Sequence, residues 1–175
     1  IRPEQVLTLN DYPVHNEQIL KLYHHMFWKG NTKIVPPFPT IQLLFETLSL
    51  KGHSDKAEKY NKLLSKFLKT HPNVKYVLVD GTHKTTAATL CGKPLRAIVF
   101  REDKDIAEAR NMVEVGELFS LTTGSANTVE AATRALQRHF TKHMVFETVA
   151  EKTDRMVKNK VLPQYMIELY KKFTK

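Results

Sequence analysis

The spacing of apolar positions changes along this chain, and the changes mark its elements. "EQVLTL" (4–9) is a short β-branched and leucine-rich run that predicts a first strand, followed by a turn over "NDYPVHN" (10–16). In "EQILKLYHHMFWKG", Ile19, Leu22, Tyr23 and Met26 recur at three- and four-residue steps. That predicts a helix capped by Asn16 and ended by Gly30-Asn31. "KIVPPFPTIQLLF" (33–45) holds three prolines. These exclude a central strand over 36–39 and leave an extended, edge-like piece around Pro39–Leu44. The clearest helical pattern is "SDKAEKYNKLLSKFLKT" (54–70), with Ser54 or Asp55 as cap. Tyr60, Leu63, Leu64, Phe67 and Leu68 share one face, and Lys56, Lys59, Lys62, Lys66 and Lys69 lie on the other.

After "HPN", the run "VKYVLV" predicts a second strand and residues 95–100 a third. A helix follows from about 104 to 115, then a loop over "TTGSANT" and a helix "VEAATRALQRHF" capped by Asn127 or Thr128. "ETVAEKTDRMVKNK" and "QYMIELYKKF" complete the helical pattern, and no strand is expected beyond 104. Strands gather in the first hundred residues and helices dominate afterwards, which is an α+β layout.

Composition narrows the class without naming a function. Hydrophobic residues make up 42% and charged residues 26% of the 175 positions, the balance of a globular domain. No apolar run reaches the roughly 20 residues of a membrane span, so no membrane partner is expected. No signal-peptide pattern is present, and a cytoplasmic location is expected. The single cysteine, Cys91, excludes an internal disulfide framework and a cysteine metal cluster. Its neighbours suit a small buried residue near a helix end. A net charge of +9 favours polyanionic partners.

One stretch carries more specific chemistry. In "KYVLVDGTHKTTAATLCGKPLRAIVF" (75–100) a strand stops at Asp80-Gly81 and a helix begins near Thr82 or His83. The first backbone N–H groups of a helix have no partner within it and sit at the positive end of its dipole, so a phosphate placed there meets several donors at once. Gly81 permits close approach or positive φ. Thr82, Thr85 and Thr86 offer hydroxyls, and Lys84 offers a compact charge. His83 can donate to phosphate or serve as an acid or base. Asp80 can orient His83, hold a metal ion such as Mg²⁺, or simply cap the turn. The Walker and G-x-G-x-x-G nucleotide motifs are both absent.

This stretch resembles the core of the ParB/sulfiredoxin-like superfamily, in which a strand ends in a D-G-x-H-R-type turn followed by an Ala-rich helix and another strand. The resemblance implies a small mixed sheet with helices. It implies that Gly81, Thr82, His83, Lys84 and Thr85 hold the phosphates of ATP, ADP or CTP, with Asp80 and His83 as the catalytic candidates and Asp80 as the Mg²⁺ ligand. Phosphoryl transfer or nucleotide hydrolysis is the activity such a site implies. Lys84 stands in place of the usual arginine. Thr82 stands where sulfiredoxins carry their cysteine, which excludes sulfinic-acid reduction. The kinases of the superfamily carry an acid in the turn after the first strand; here the expected position falls near His15, with Asp11 and Glu17 the nearest carboxylates.

On this reading residues 1–104 form the nucleotide-binding core, with 46–73 as a helical insertion, and 105–175 form a helical extension packed on that core. The alternative is a DNA-binding ParB-like protein without catalysis, which sets the Lys56, Lys59, Lys62, Lys66 and Lys69 face and the C-terminal helices against phosphates. The same lysines also read as a plain solvated helix face. His24-His25 point about 100° apart on a helix and cannot share a metal. His139 and His143 share a face but lack the adjacent glutamate of a metalloprotease motif.

Overall fold

The computed structural model describes residues 1–8, 17–29, 38–42, 45–79, 81–95, 97–114 and 128–174. Strand β1 (Val6–Thr8) follows a single 3-10 turn and leads to α1 (Glu17–Trp28). Then come β2 (Phe38–Gln42), α2 (Phe45–Leu48), α3 (Asp55–Thr70), β3 (Tyr76–Leu78), α4 (Thr82–Leu90), β4 (Ala97–Phe100) and α5 (Asp103–Glu114). Helix α6 (Val129–His143), strand β5 (Glu147–Thr148), α7 (Val149–Lys158) and α8 (Gln164–Phe173) complete the chain. The protein is a mixed α+β fold around one sheet ordered β4-β2-β3-β1-β5. Pairs β1–β3 and β2–β4 are parallel, while β2–β3 and β1–β5 are antiparallel.

Alternation along the strands sends neighbours to opposite faces. Val6 and Leu78 enter a cluster with Leu20, Tyr23 and Phe27 of α1, Ala87, Ala88 and Leu90 of α4, and the buried faces of α7 and α8. Leu7 and Val77 enter a second cluster with Tyr60, Leu64 and Phe67 of α3, Ile106 of α5, and Ala132, Leu136 and Phe140 of α6. The sheet is therefore covered on both sides, which explains why "YVLV" and "AIVF" are continuously apolar instead of alternating with polar residues.

Helix starts follow the capping chemistry visible in the sequence. Ser54 Oγ accepts from Ala57 N at 3.2 Å and Thr128 Oγ1 from Ala131 N at 3.0 Å. At α7, Thr148 Oγ1 accepts from Glu151 N at 3.1 Å while Thr148 N donates to Glu151 Oε1 at 2.9 Å, a reciprocal capping box. The turn over 10–16, with Asp11, His15 and the Asn16 cap, lies outside the described residues, as does the "TTGSANT" loop.

Three expectations change. Strand β2 is not an edge: it sits between β4 and β3, even though it contains Pro39. Its ladder with β3 begins at Thr40, so Pro39 has only β4 opposite it, at Ile98, and the missing N–H falls at the strand's end. A strand does occur beyond residue 104. Two-residue β5 pairs with β1 through Leu7–Thr148 and Thr8–Glu147, too short for any periodic pattern to reveal. The first strand is also shorter than 4–9, because Pro3–Gln5 form the 3-10 turn and Val6 starts the ladder.

The regions read as an insertion and an extension are both built into the layers. Helix α3 covers one sheet face together with α5 and α6, and α7 and α8 pack on α4 across the other. Among the described residues no helix is long and apolar enough to cross a membrane.

Candidate functional site

Strand β3 ends at Leu78 and α4 begins at Thr82, the strand-to-helix order expected around Gly81. Gly81 is the N-cap of α4 with φ 104° and ψ 32°, a left-handed conformation that disfavours any side chain. As a glycine it brings no side chain to satisfy the first amides of α4. Thr85 N closes the first turn onto Gly81 O at 2.9 Å. Thr82 and His83 are half-buried at the mouth of this helix end. Asp80, the expected catalytic and metal-binding carboxylate, lies outside the described residues.

The remaining candidates point elsewhere. Lys84 is 7% exposed and sets its ammonium 5.7 Å from the ring centroid of Tyr23 on α1, a cation–π contact. Thr85 is buried and donates to Thr82 O at 3.0 Å, and Thr89 donates to Thr85 O at 2.7 Å. These hydroxyls are thus engaged by the carbonyls of their own helix. Thr86, Ala87 and Ala88 are buried, which lets α4 pack closely against α1 and α7. The structure therefore brings Gly81, Thr82 and His83 together at the helix mouth, with Lys84 and Thr85 lying deeper in the packing. Tyr23 beneath Lys84 was not legible as a partner, because only the packing of α1 on α4 joins two residues sixty-one positions apart.

The other sequence candidates resolve simply. His24 is 3% exposed, its ring edge-on to Tyr165 at 5.6 Å, while His25 is exposed. Burial, with a smaller contribution from His25, pulls the His24 imidazole below its ordinary value. Cys91 is buried at the end of α4, its thiol donating to His24 O at 3.5 Å, and burial pushes its pKa up to about 12. It is a packing residue with little thiolate character. His139 and His143 do share a face, with ring centroids 4.7 Å apart. Among the described residues no group of three or more His, Cys, Asp or Glu side chains is placed to hold a metal ion. Phe27 is buried, and Trp28 packs edge-on to Phe173 at 6.0 Å.

The lysine face of α3 is confirmed as exposed at Lys56, Lys59, Lys62, Lys66 and Lys69, while Tyr60, Leu64 and Phe67 are buried beneath. One member leaves the stripe. Lys56 lines an open groove shared with α6, together with Arg134, Arg138 and Lys142.

No family model matches this chain, and no curated protein or solved structure matches it.

Proposed function

We propose that this protein binds a nucleotide, holding its phosphates at the N-terminus of α4. The observation that carries the reading is Gly81: its left-handed backbone starts α4, so the positive end of that helix faces the turn, with half-buried Thr82 and His83 beside it. The resemblance of residues 75–100 to the ParB/sulfiredoxin-like core supports the same ligand class, ATP, ADP or CTP. Lys84, buried against Tyr23 in the first turn of the helix, adds a positive charge behind the site, and the helix dipole adds a field of the same sign. Asp80 is the carboxylate beside the turn in sequence and the proposed Mg²⁺ ligand.

A thermal-shift panel of ATP, ADP, CTP, GTP and inorganic phosphate, with and without Mg²⁺, tests this. Ligand at a hundredfold excess over its dissociation constant stabilises the fold by about 2.7 kcal/mol. The expected result is a selective rise in midpoint with one nucleotide, and a loss of about tenfold in affinity in His83→Ala at unchanged unliganded stability, since one hydrogen bond to a charged group is worth ~1.5 kcal/mol. No shift with any of the five ligands rejects the reading. An equal response to every phosphate-bearing ligand, unaffected by His83→Ala, rejects the assigned site.

A further inference from the structure

On the sheet face opposite α4, helices α3 and α6 and the segment joining α2 to α3 enclose an open groove of about 550 Å³. Among the described residues that line it, Lys56, Arg134, Arg138 and Lys142 are cations and none is acidic. All four are exposed. None of them is in a salt bridge among the described residues. Like charges gathered in one concavity repel each other and lower stability, so the arrangement is favourable only when an anion fills it.

The walls are held in place without those cations. Helix α6 is anchored through Ala132, Leu136 and Phe140, which pack towards the sheet. Gln137, on the groove floor, donates to Thr47 O at 3.3 Å and Ser49 O at 3.0 Å. Leu50, also on the floor, is pinned by Asn61 in both directions: Leu50 N donates to Asn61 Oδ1 at 2.7 Å, and Asn61 Nδ2 donates to Leu50 O at 2.9 Å. The cations thus stand on a rigid frame and lose little freedom of the backbone on binding.

We infer that this groove is a binding surface for the phosphodiester backbone of nucleic acid. Arg134, Arg138 and Lys142 follow one another at four-residue steps, so they form a single stripe with about 6 Å between successive cations along the axis. A row of charges tracks a polymer of phosphates better than a single anion. Guanidinium forks at two of the three positions suit phosphate oxygens. Among the described residues no aromatic ring lines the groove, so the inferred contact is to phosphates and independent of base sequence. This site is separate from the α4 turn and does not depend on the nucleotide reading.

The test is fluorescence anisotropy with two labelled 20-bp duplexes of unrelated sequence, titrated with the protein from low to moderate salt. Two double variants carry the same change in net charge: Arg134→Glu with Arg138→Glu in the groove, and Lys62→Glu with Lys66→Glu on the outer face of α3. The groove variant is expected to weaken binding to both duplexes at least about tenfold, and to reduce the slope of log affinity against log salt by about 2, one for each lost phosphate contact. The outer-face variant is expected to change affinity less than about threefold, because charge–charge effects beyond the screening length are small. Arg134→Gln with Arg138→Gln repeats the groove test should the charge reversal lower the thermal midpoint. Absence of binding at low salt, equal weakening by the two glutamate pairs, or discrimination between the duplexes overturns the inference. Displacement of the duplex by polyglutamate at matched charge also overturns it, in favour of an acidic protein partner.

Discussion

At the scale of single residues, burial decides what the polar groups do. His24 is enclosed among α1, α4 and α8, its ring against Tyr165, and its Nε2 has no hydrogen-bond partner among the described residues. Its imidazole titrates below the ordinary value of 6.5, chiefly because burial disfavours the cation. Between that depressed value and 6.5 the unfolded chain binds more protons than the folded one, so stability rises with pH through this window. Urea unfolding followed from pH 7.5 down to 5 should show stability falling below pH 6.5, and His24→Phe should flatten that part of the profile. Tyr60 is fully buried and donates its hydroxyl to Leu48 O at 2.8 Å, which ties α3 to α2. Tyr60→Phe should cost about 1 kcal/mol by denaturant titration, the net value of one buried hydrogen bond with its acceptor left unsatisfied. Gly81→Ala places a Cβ on a residue with φ 104° and should destabilise the protein by about 1–2 kcal/mol, measured as a lower urea midpoint.

At the scale of elements, local chemistry set the starts and tertiary contacts set the partners. The α7 capping box joins Thr148 to Glu151 just as the chain leaves β5, so the same threonine ends a strand and starts a helix. Thr148→Ala should cost about 1 kcal/mol of stability, read as a shift in the urea midpoint with an unchanged slope. Helix α3 and helix α8 were legible almost to the residue, because their apolar stripes are long and their ends carry caps or proline. Strand β2 was misread as an edge because a proline in sequence shows the donor it lacks, but not which neighbour would need it. Strand β5 was missed because pairing with β1 makes it a strand; its two residues have no period of their own.

At the scale of the whole molecule, a mixed sheet lies between two helical layers, and each layer presents a different end of basic chemistry. The α4 turn on one face places a left-handed glycine at the positive end of a helix, and the α3–α6 groove on the other offers four exposed cations. If both proposals hold, nucleotide should raise the thermal midpoint in the Arg134→Glu with Arg138→Glu variant as it does in the parent, and His83→Ala should bind duplex as the parent does. The amino-acid sequence by itself determined the α+β composition, most helix boundaries, the strand–Gly81–helix unit and the positive net charge. These follow from period, capping residues and residue counts, all of which act over a few positions. Only the tertiary structure decided that Lys84 turns to Tyr23, that Thr85 is spent on its own helix, and that the sheet is covered on both faces. It alone placed Lys56 of one helix against the Arg134–Lys142 stripe of another. The stripe's four-residue spacing was legible, but a groove needs two walls, and nothing local in a sequence says which helices will stand side by side.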